Sequence, residues 1–131
     1  MEIITHGEAE TRSAAKKYAE TLSRGDVVLL RGELGAGKTA FVKGVAEFFG
    51  LSGVTSPTYA YLNVYGDLIY HYDCYRLTSG DEAAILGLTD YFGGDNICFI
   101  EWSENISDVL PAACKTVKIE KIDDNTRKIL L

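Results

Sequence analysis

The chain has 131 residues, 47% of them hydrophobic and 24% charged, with a formal net charge of −6. That length and balance fit one globular domain, and two prolines with no low-complexity run exclude disorder over most of it. Unaided nucleic-acid binding needs a cationic face and this acidic chain shows no obvious one, so any nucleic-acid role is expected to run through a partner.

Residues 2–5 are predicted as a short edge strand. Residues 8–23 read as an amphipathic helix, with Ala15, Tyr18, Ala19 and Leu22 on one face. Gly25-Asp26 breaks the chain before Val27-Val28-Leu29-Leu30, an apolar run of strand length that is expected to be buried on both faces. A glycine-rich segment leads into a helix from about Lys38 to Phe49, with Gly50 at its C′ position. After a loop over 51–58, residues 59–65 and 68–75 read as two aromatic strands around Gly66-Asp67, a hairpin. Ser79 and Glu82 match a capping box, opening a helix to about Phe92 that Gly93-Gly94-Asp95 ends. Ile97-Cys98-Phe99-Ile100 is a second buried strand, ending at Glu101-Trp102. A short helix over 103–110 stops at Pro111. A half-solvated strand follows over 115–122, with Val117, Ile119 and Ile122 on its apolar side, and a turn at 123–125 opens a last strand, 127–131. This order predicts an α/β fold: a three-layer sandwich with a mixed, largely parallel central sheet, an antiparallel hairpin and helices on both faces, in a single domain over 1–131.

No apolar stretch approaches the ~20 residues of a membrane span, and the first residues lack a signal-peptide pattern. Cys74, Cys98 and Cys114 are scattered, with no C-x-x-C, which points to a reduced cytoplasmic setting; Cys98 reads as a buried thiol. His6 and His71 are too few to build a metal cluster.

Gly32-Glu33-Leu34-Gly35-Ala36-Gly37-Lys38-Thr39 fits the phosphate-loop pattern G-x-x-x-x-G-K-[ST] in full, between a buried strand and a helix. Glycines let the backbone turn tightly and aim several N–H groups at anionic oxygens, and the helix adds the positive end of its dipole. Lys38 reaches the β- and γ-phosphates, the Thr39 hydroxyl suits Mg²⁺, and the backbone of residues 33–37 and Ala40 completes the cup. Such a loop needs an acid at the end of a neighbouring strand. Glu101, in a Walker-B-like position, and Asp73 both fit, and each also reads as a plain solvated strand-end carboxylate. Thr58, in Ser56-Pro57-Thr58, suits a switch that closes on Mg²⁺ and the γ-phosphate, or a simple turn. Trp102 reads as core filling or as a lid over the site. The tyrosines at 59, 61, 65, 70, 72 and 75 favour cross-strand packing over base stacking, with a partner surface between the two. The guanine-reading N/T-K-x-D signature is absent, which makes ATP the default nucleotide.

Gly32…Gly-Ala-Gly-Lys-Thr39, Ser56-Pro57-Thr58-Tyr59, Tyr72-Asp73-Cys74-Tyr75-Arg76-Leu77, Gly87-Leu88 ahead of Asp90-Tyr91-Phe92, and Ile100-Glu101-Trp102 together resemble the TsaE (YjeE) family over roughly residues 2–120. The resemblance implies a P-loop α/β fold that binds ATP or ADP with Mg²⁺ and hydrolyses ATP slowly. It implies TsaD and TsaB as partners in forming threonylcarbamoyladenosine at position 37 of tRNA, so that tRNA is met indirectly through that complex. Matched by position, Lys38 binds phosphate, Thr39 and Glu101 serve Mg²⁺, Thr58 resembles a switch residue, and Asp73 and Trp102 are linked to the nucleotide site or the partner interface. Ala40 departs from the family's frequent second threonine, which implies weaker nucleotide binding. The chain has five arginines and no obvious activating one, Arg31, Arg76 and Arg24 being nearest, so a slow, partner-dependent ATPase is expected. A small-molecule or nucleoside kinase and a non-hydrolysing nucleotide-sensing scaffold are the alternatives.

Overall fold

The computed structural model describes residues 1–54 and 61–131. The elements run β1 (Glu2–His6), α1 (Glu8–Ala19), β2 (Val27–Arg31), α2 (Lys38–Phe48), β3 (Leu62–Tyr65), β4 (Ile69–Asp73), α3 (Gly80–Ile85), a 3-10 turn (Leu88–Tyr91), β5 (Ile97–Glu101), a second 3-10 segment (Ser103–Val109), β6 (Lys115–Lys121) and β7 (Thr126–Leu130). This is the expected α/β class, with seven strands among the described residues, paired both parallel and antiparallel. The chain divides into two compact units, one of Met1–Leu22, Arg31–Ser56 and Thr116–Leu131, the other of Ser23–Leu30 and Pro57–Lys115. Among the described residues no helix is long and apolar enough to cross a membrane.

In the first unit, β7 pairs antiparallel with β1 on one side and β6 on the other. Helix α1 buries Thr11, Ala15 and Ala19, and α2 buries Phe41, Val42, Val45 and Ala46. The two helices approach closely at Gly44, where a Cβ would stand 2.3 Å from the Arg12 carbonyl and 2.7 Å from the Ala15 methyl. Glu47 receives Arg12 at 3.2 Å and Lys16 at 3.1 Å beside this crossing. Helix α1 ends at Ala19 rather than 23, because the chain tightens into turns: Thr21 and Leu22 donate N–H to Tyr18 and Ala19. Leu22 is still buried. Helix α2 closes as expected, Gly50 taking a left-handed φ of 74° while its N–H and that of Leu51 return to Glu47 and Ala46. Val117 and Ile119 point inward from β6. Ile122, expected beside them, is exposed, because the two-residue period puts position 122 on the other face and β6 ends at Lys121.

In the second unit, β5 lies parallel to both β2 and β4, and β3 pairs antiparallel with β4. Every residue of β5 is buried. Gly66 and Asp67 both take positive φ, and the Leu68 N–H returns to the Tyr65 carbonyl, as a tight hairpin turn requires. The strands are shorter than expected. Residues 59–60 lie outside the described residues, and β4 stops at Asp73, whose carboxylate accepts the Tyr75 N–H at 2.9 Å. Two of the tyrosine rings pack against the segment after α3: Tyr70 meets Tyr91 at 4.9 Å and Tyr72 meets Phe92 at 5.3 Å. The Ser79 hydroxyl accepts the Glu82 N–H, while the Glu82 carboxylate turns to Thr78 instead of completing the box. The helix opened there ends at Ile85 rather than near Phe92, because Gly87 takes a left-handed φ of 77° and a 3-10 turn follows. The 103–110 helix is 3-10 and broken at Ile106.

Candidate functional site

The first unit holds the glycine-rich loop between the end of β2 and the start of α2. Its first residue tolerates no side chain: a Cβ on Gly32 would stand 2.6 Å from the Ile119 carbonyl of β6. The Ala36 N–H closes a turn on the Glu33 carbonyl at 3.0 Å, and Ala36 is buried. Leu34 is 97% exposed at the loop's outer edge. Gly37, with φ 112°, caps α2. Lys38 is only 8% exposed, and its ammonium donates to the Gly32 carbonyl at 2.7 Å, so the side chain folds back along the loop it follows. Thr39 and Ala40 form the first turn of α2, where helix N–H groups lack intrahelical acceptors. Beside Gly37 and Ala40 a cavity of about 280 Å³ opens, walled also by Asp124, Asn125 and Arg127.

Arg127, on β7, is the residue that local motif reading passed over. Its Nε donates to the Ala36 carbonyl at 2.8 Å and one Nη to the Gly35 carbonyl at 3.3 Å. The other Nη donates to the Asp123 and Thr126 carbonyls at 2.7 and 3.1 Å. Ninety-one residues separate Arg127 from Ala36, so only the tertiary fold reveals the contact. The other candidate arginines have these settings within their own units. Arg24 donates to the Asp95 carbonyl at 2.8 Å, the Arg76 guanidinium stands 5.6 Å from the Tyr61 ring centroid, and Arg31 is exposed at the end of β2.

The second unit brings Glu101, Asp73 and Trp102 together at the carboxyl ends of β4 and β5. In open α/β sheets ligands bind outside these ends. The parallel register sets Asp73 beside Glu101 and His71 beside Phe99, so all four side chains share one sheet face. His71 is fully buried, and its Nε2 lies 2.6 Å from a Glu101 carboxylate oxygen. With that carboxylate ionised it can only accept, so Nε2 carries the proton. Nδ1 is then buried with no hydrogen-bond partner among the described residues. Glu101 is 8% exposed, which corrects the solvated reading for it. Asp73 spends one oxygen on the Tyr75 N–H. Asn105 donates to the Cys74 and Tyr75 carbonyls at 3.0 and 3.2 Å, tying down the chain after β4. Trp102 is not core: it is 40% exposed, has a left-handed φ of 58°, and meets the Tyr75 ring edge-on at 4.9 Å. Thr58 lies outside the described residues. No group of three or more His, Cys, Asp or Glu suited to a metal occurs among the described residues. Burial pushes the Cys98 thiol up to about 11 and the Cys74 thiol up to about 12, with neighbouring carboxylates adding to the latter, so both are unreactive near neutral pH.

His71 had a signal in the sequence, a lone histidine two residues before an acid on an apolar strand. Its partner could be named only once the β4–β5 register was known.

The model of the family described as threonylcarbamoyl adenosine biosynthesis protein TsaE matches residues 5–129. A protein of Haemophilus influenzae named tRNA threonylcarbamoyladenosine biosynthesis protein TsaE is 43% identical over 118 residues, covering 83% of this chain and 75% of its own. The Bacillus subtilis protein of the same name is 41% identical over 124 residues, covering 92% and 77%. The fold is similar to the crystal structure of Bacillus subtilis YdiB, with a TM-score of 0.80 and 36% identity over 98% of this chain and 82% of that one. With the motifs, the fold and these relatives in agreement, the chain belongs to the TsaE family.

Proposed function

We propose that the protein is a Mg²⁺-dependent ATP-binding protein and weak ATPase, a single P-loop domain over 1–131 that acts in the cytoplasm. Its role is in tRNA threonylcarbamoyladenosine biosynthesis, as for its family. There it would serve the TsaD–TsaB complex in modifying position 37 of tRNA, meeting tRNA only through that complex. The observation that carries the nucleotide reading is the loop over 32–39, where a nearly buried lysine folds back on its own glycine-rich turn at the start of a helix.

Taken unit by unit, the residues suit a magnesium nucleotide by their chemistry. The loop offers backbone N–H groups from glycines in left-handed conformations and a primary amine, and the strand end offers a carboxylate held by an imidazole. Thr39 and Glu101 would hold the metal, which when bound neutralises charge between phosphate oxygens. Lys38 places a point charge on the β- and γ-phosphates, and residues 33–37 and Ala40 cradle them through backbone donors. Ala40 gives its N–H but has no hydroxyl to add. His71 orients Glu101 by its bond to one carboxylate oxygen. Asp73 keeps its second oxygen for orienting the attacking water, Thr58 is assigned the switch, and Trp102 the edge of the nucleotide site. The nucleoside would occupy the cavity beside Gly37 and Ala40.

The test is ATP turnover by the purified chain with and without TsaD–TsaB. Slow hydrolysis alone and a changed rate with the partners are expected. Fast hydrolysis that the partners leave untouched would overturn the partner-dependent reading.

A further inference from the structure

A phosphate loop works only if its peptide planes face the right way, and glycine makes those planes easy to turn. Gly35 and Gly37 both sit at positive φ, with no heavy atom within 4 Å of where a Cβ would lie. Sterics therefore do little to hold the peptides beside them. The peptide bonds are trans, so the Ala36 carbonyl and the Gly37 N–H point in opposite directions across one plane. Whatever grips that carbonyl aims that N–H.

Arg127 grips it, at 2.8 Å from Nε, while one Nη takes the Gly35 carbonyl and the other anchors to the Asp123 and Thr126 carbonyls of the β6–β7 turn. All four acceptors are neutral carbonyls, and no carboxylate pairs with this guanidinium among the described residues. A guanidinium is always charged and its fork is rigid, so it serves here both as a brace and as an uncancelled positive charge.

We propose that Arg127 is a positioning residue for nucleotide binding: it sets the Ala36–Gly37 peptide so that the Gly37 N–H faces the phosphates, and it adds cationic potential to the cup. The role rests on the nucleotide-binding reading of this loop. Lysine at 127 keeps a charge but cannot span two loop carbonyls and a turn at once. Glutamine keeps a donor without the charge.

The experiment compares wild type, Arg127→Lys and Arg127→Gln by calorimetric titration with ADP, by melting temperature without nucleotide, and by the ¹H–¹⁵N resonance of Gly37. Arg127→Gln is expected to weaken ADP binding by about 10-fold, in line with the loss of a charge-assisted contact. Arg127→Lys is expected to lose about 3-fold. Both should shift the Gly37 amide resonance in the nucleotide-free protein, with melting temperatures near wild type. Wild-type ADP affinity in Arg127→Gln would overturn the proposal. So would an unmoved Gly37 resonance, or an affinity loss that appears only together with a lowered melting temperature. If wild type itself fails to bind ADP while the Gly37 resonance still answers to Arg127→Gln, the brace stands and the nucleotide reading falls.

Discussion

The glycine-rich loop of the first unit and the strand-end cluster of the second solve opposite electrostatic problems. The loop gathers positive character from backbone N–H groups, a helix start, Lys38 and Arg127, and it does so with side chains that touch carbonyls. The cluster gathers carboxylates, and it steadies them one at a time: Glu101 on buried His71, Asp73 on a backbone N–H. The difference teaches where each can be damaged. A loop built on main chain is vulnerable through the few side chains that orient it. A cluster built on side chains is vulnerable at every member.

The comparison breaks most visibly at Glu101. Glu101→Ala is expected to lower ATP turnover by about 10²–10⁴-fold, the range for a lost acid–base or orienting group, while ADP affinity changes little. His71→Leu should lower turnover about 10-fold by freeing Glu101, and His71→Gln, which keeps a donor near the Nε2 position, should recover most of it. Steady-state kinetics with parallel ADP titrations check all three. Equal loss of binding and turnover in Glu101→Ala would erase the division of labour between the two regions.

Lys38→Ala is the matching cut in the loop. Loss of a charged donor to phosphate is expected to weaken ADP and ATP binding about 100-fold, the top of the range for such a bond, measured by calorimetry. An unchanged affinity would mean that the backbone alone supplies the anion site.

The smallest effect belongs to pH and falls on the second unit. Cys74 and Cys98 have thiols raised to about 12 and about 11, chiefly by burial. A raised thiol pKa means that the folded state holds protons the unfolded chain releases near pH 8.5–9. This stabilisation is therefore complete below that range and is lost as pH rises toward 11–12. Chemical denaturation should show no pH dependence from these thiols between pH 7 and 8 and falling stability above about 9, with Cys98→Ala reducing the slope.

The glycine-rich loop was legible in the sequence because its residues are consecutive, and its strand–turn–helix context is written in local periodicity. The buried strands over 27–30 and 97–100 were legible for the same reason: continuous apolar residues have nowhere else to go. Element ends were not, since Gly87 and the turn at Thr21 stop helices whose apolar spacing runs on. Aromatic partners were not either, because Tyr70 and Tyr72 had to choose between a strand neighbour and the segment after α3.

Local chemistry thus determined that this chain carries a glycine-rich strand–turn–helix loop, a pair of strand-end acids and an α/β frame. Only tertiary structure decided that Arg127 braces the loop and that His71 holds Glu101. The first contact spans ninety-one positions and the second thirty. Hydrogen-bond geometry at that range is set by strand register and turn placement, and no neighbouring residue encodes either.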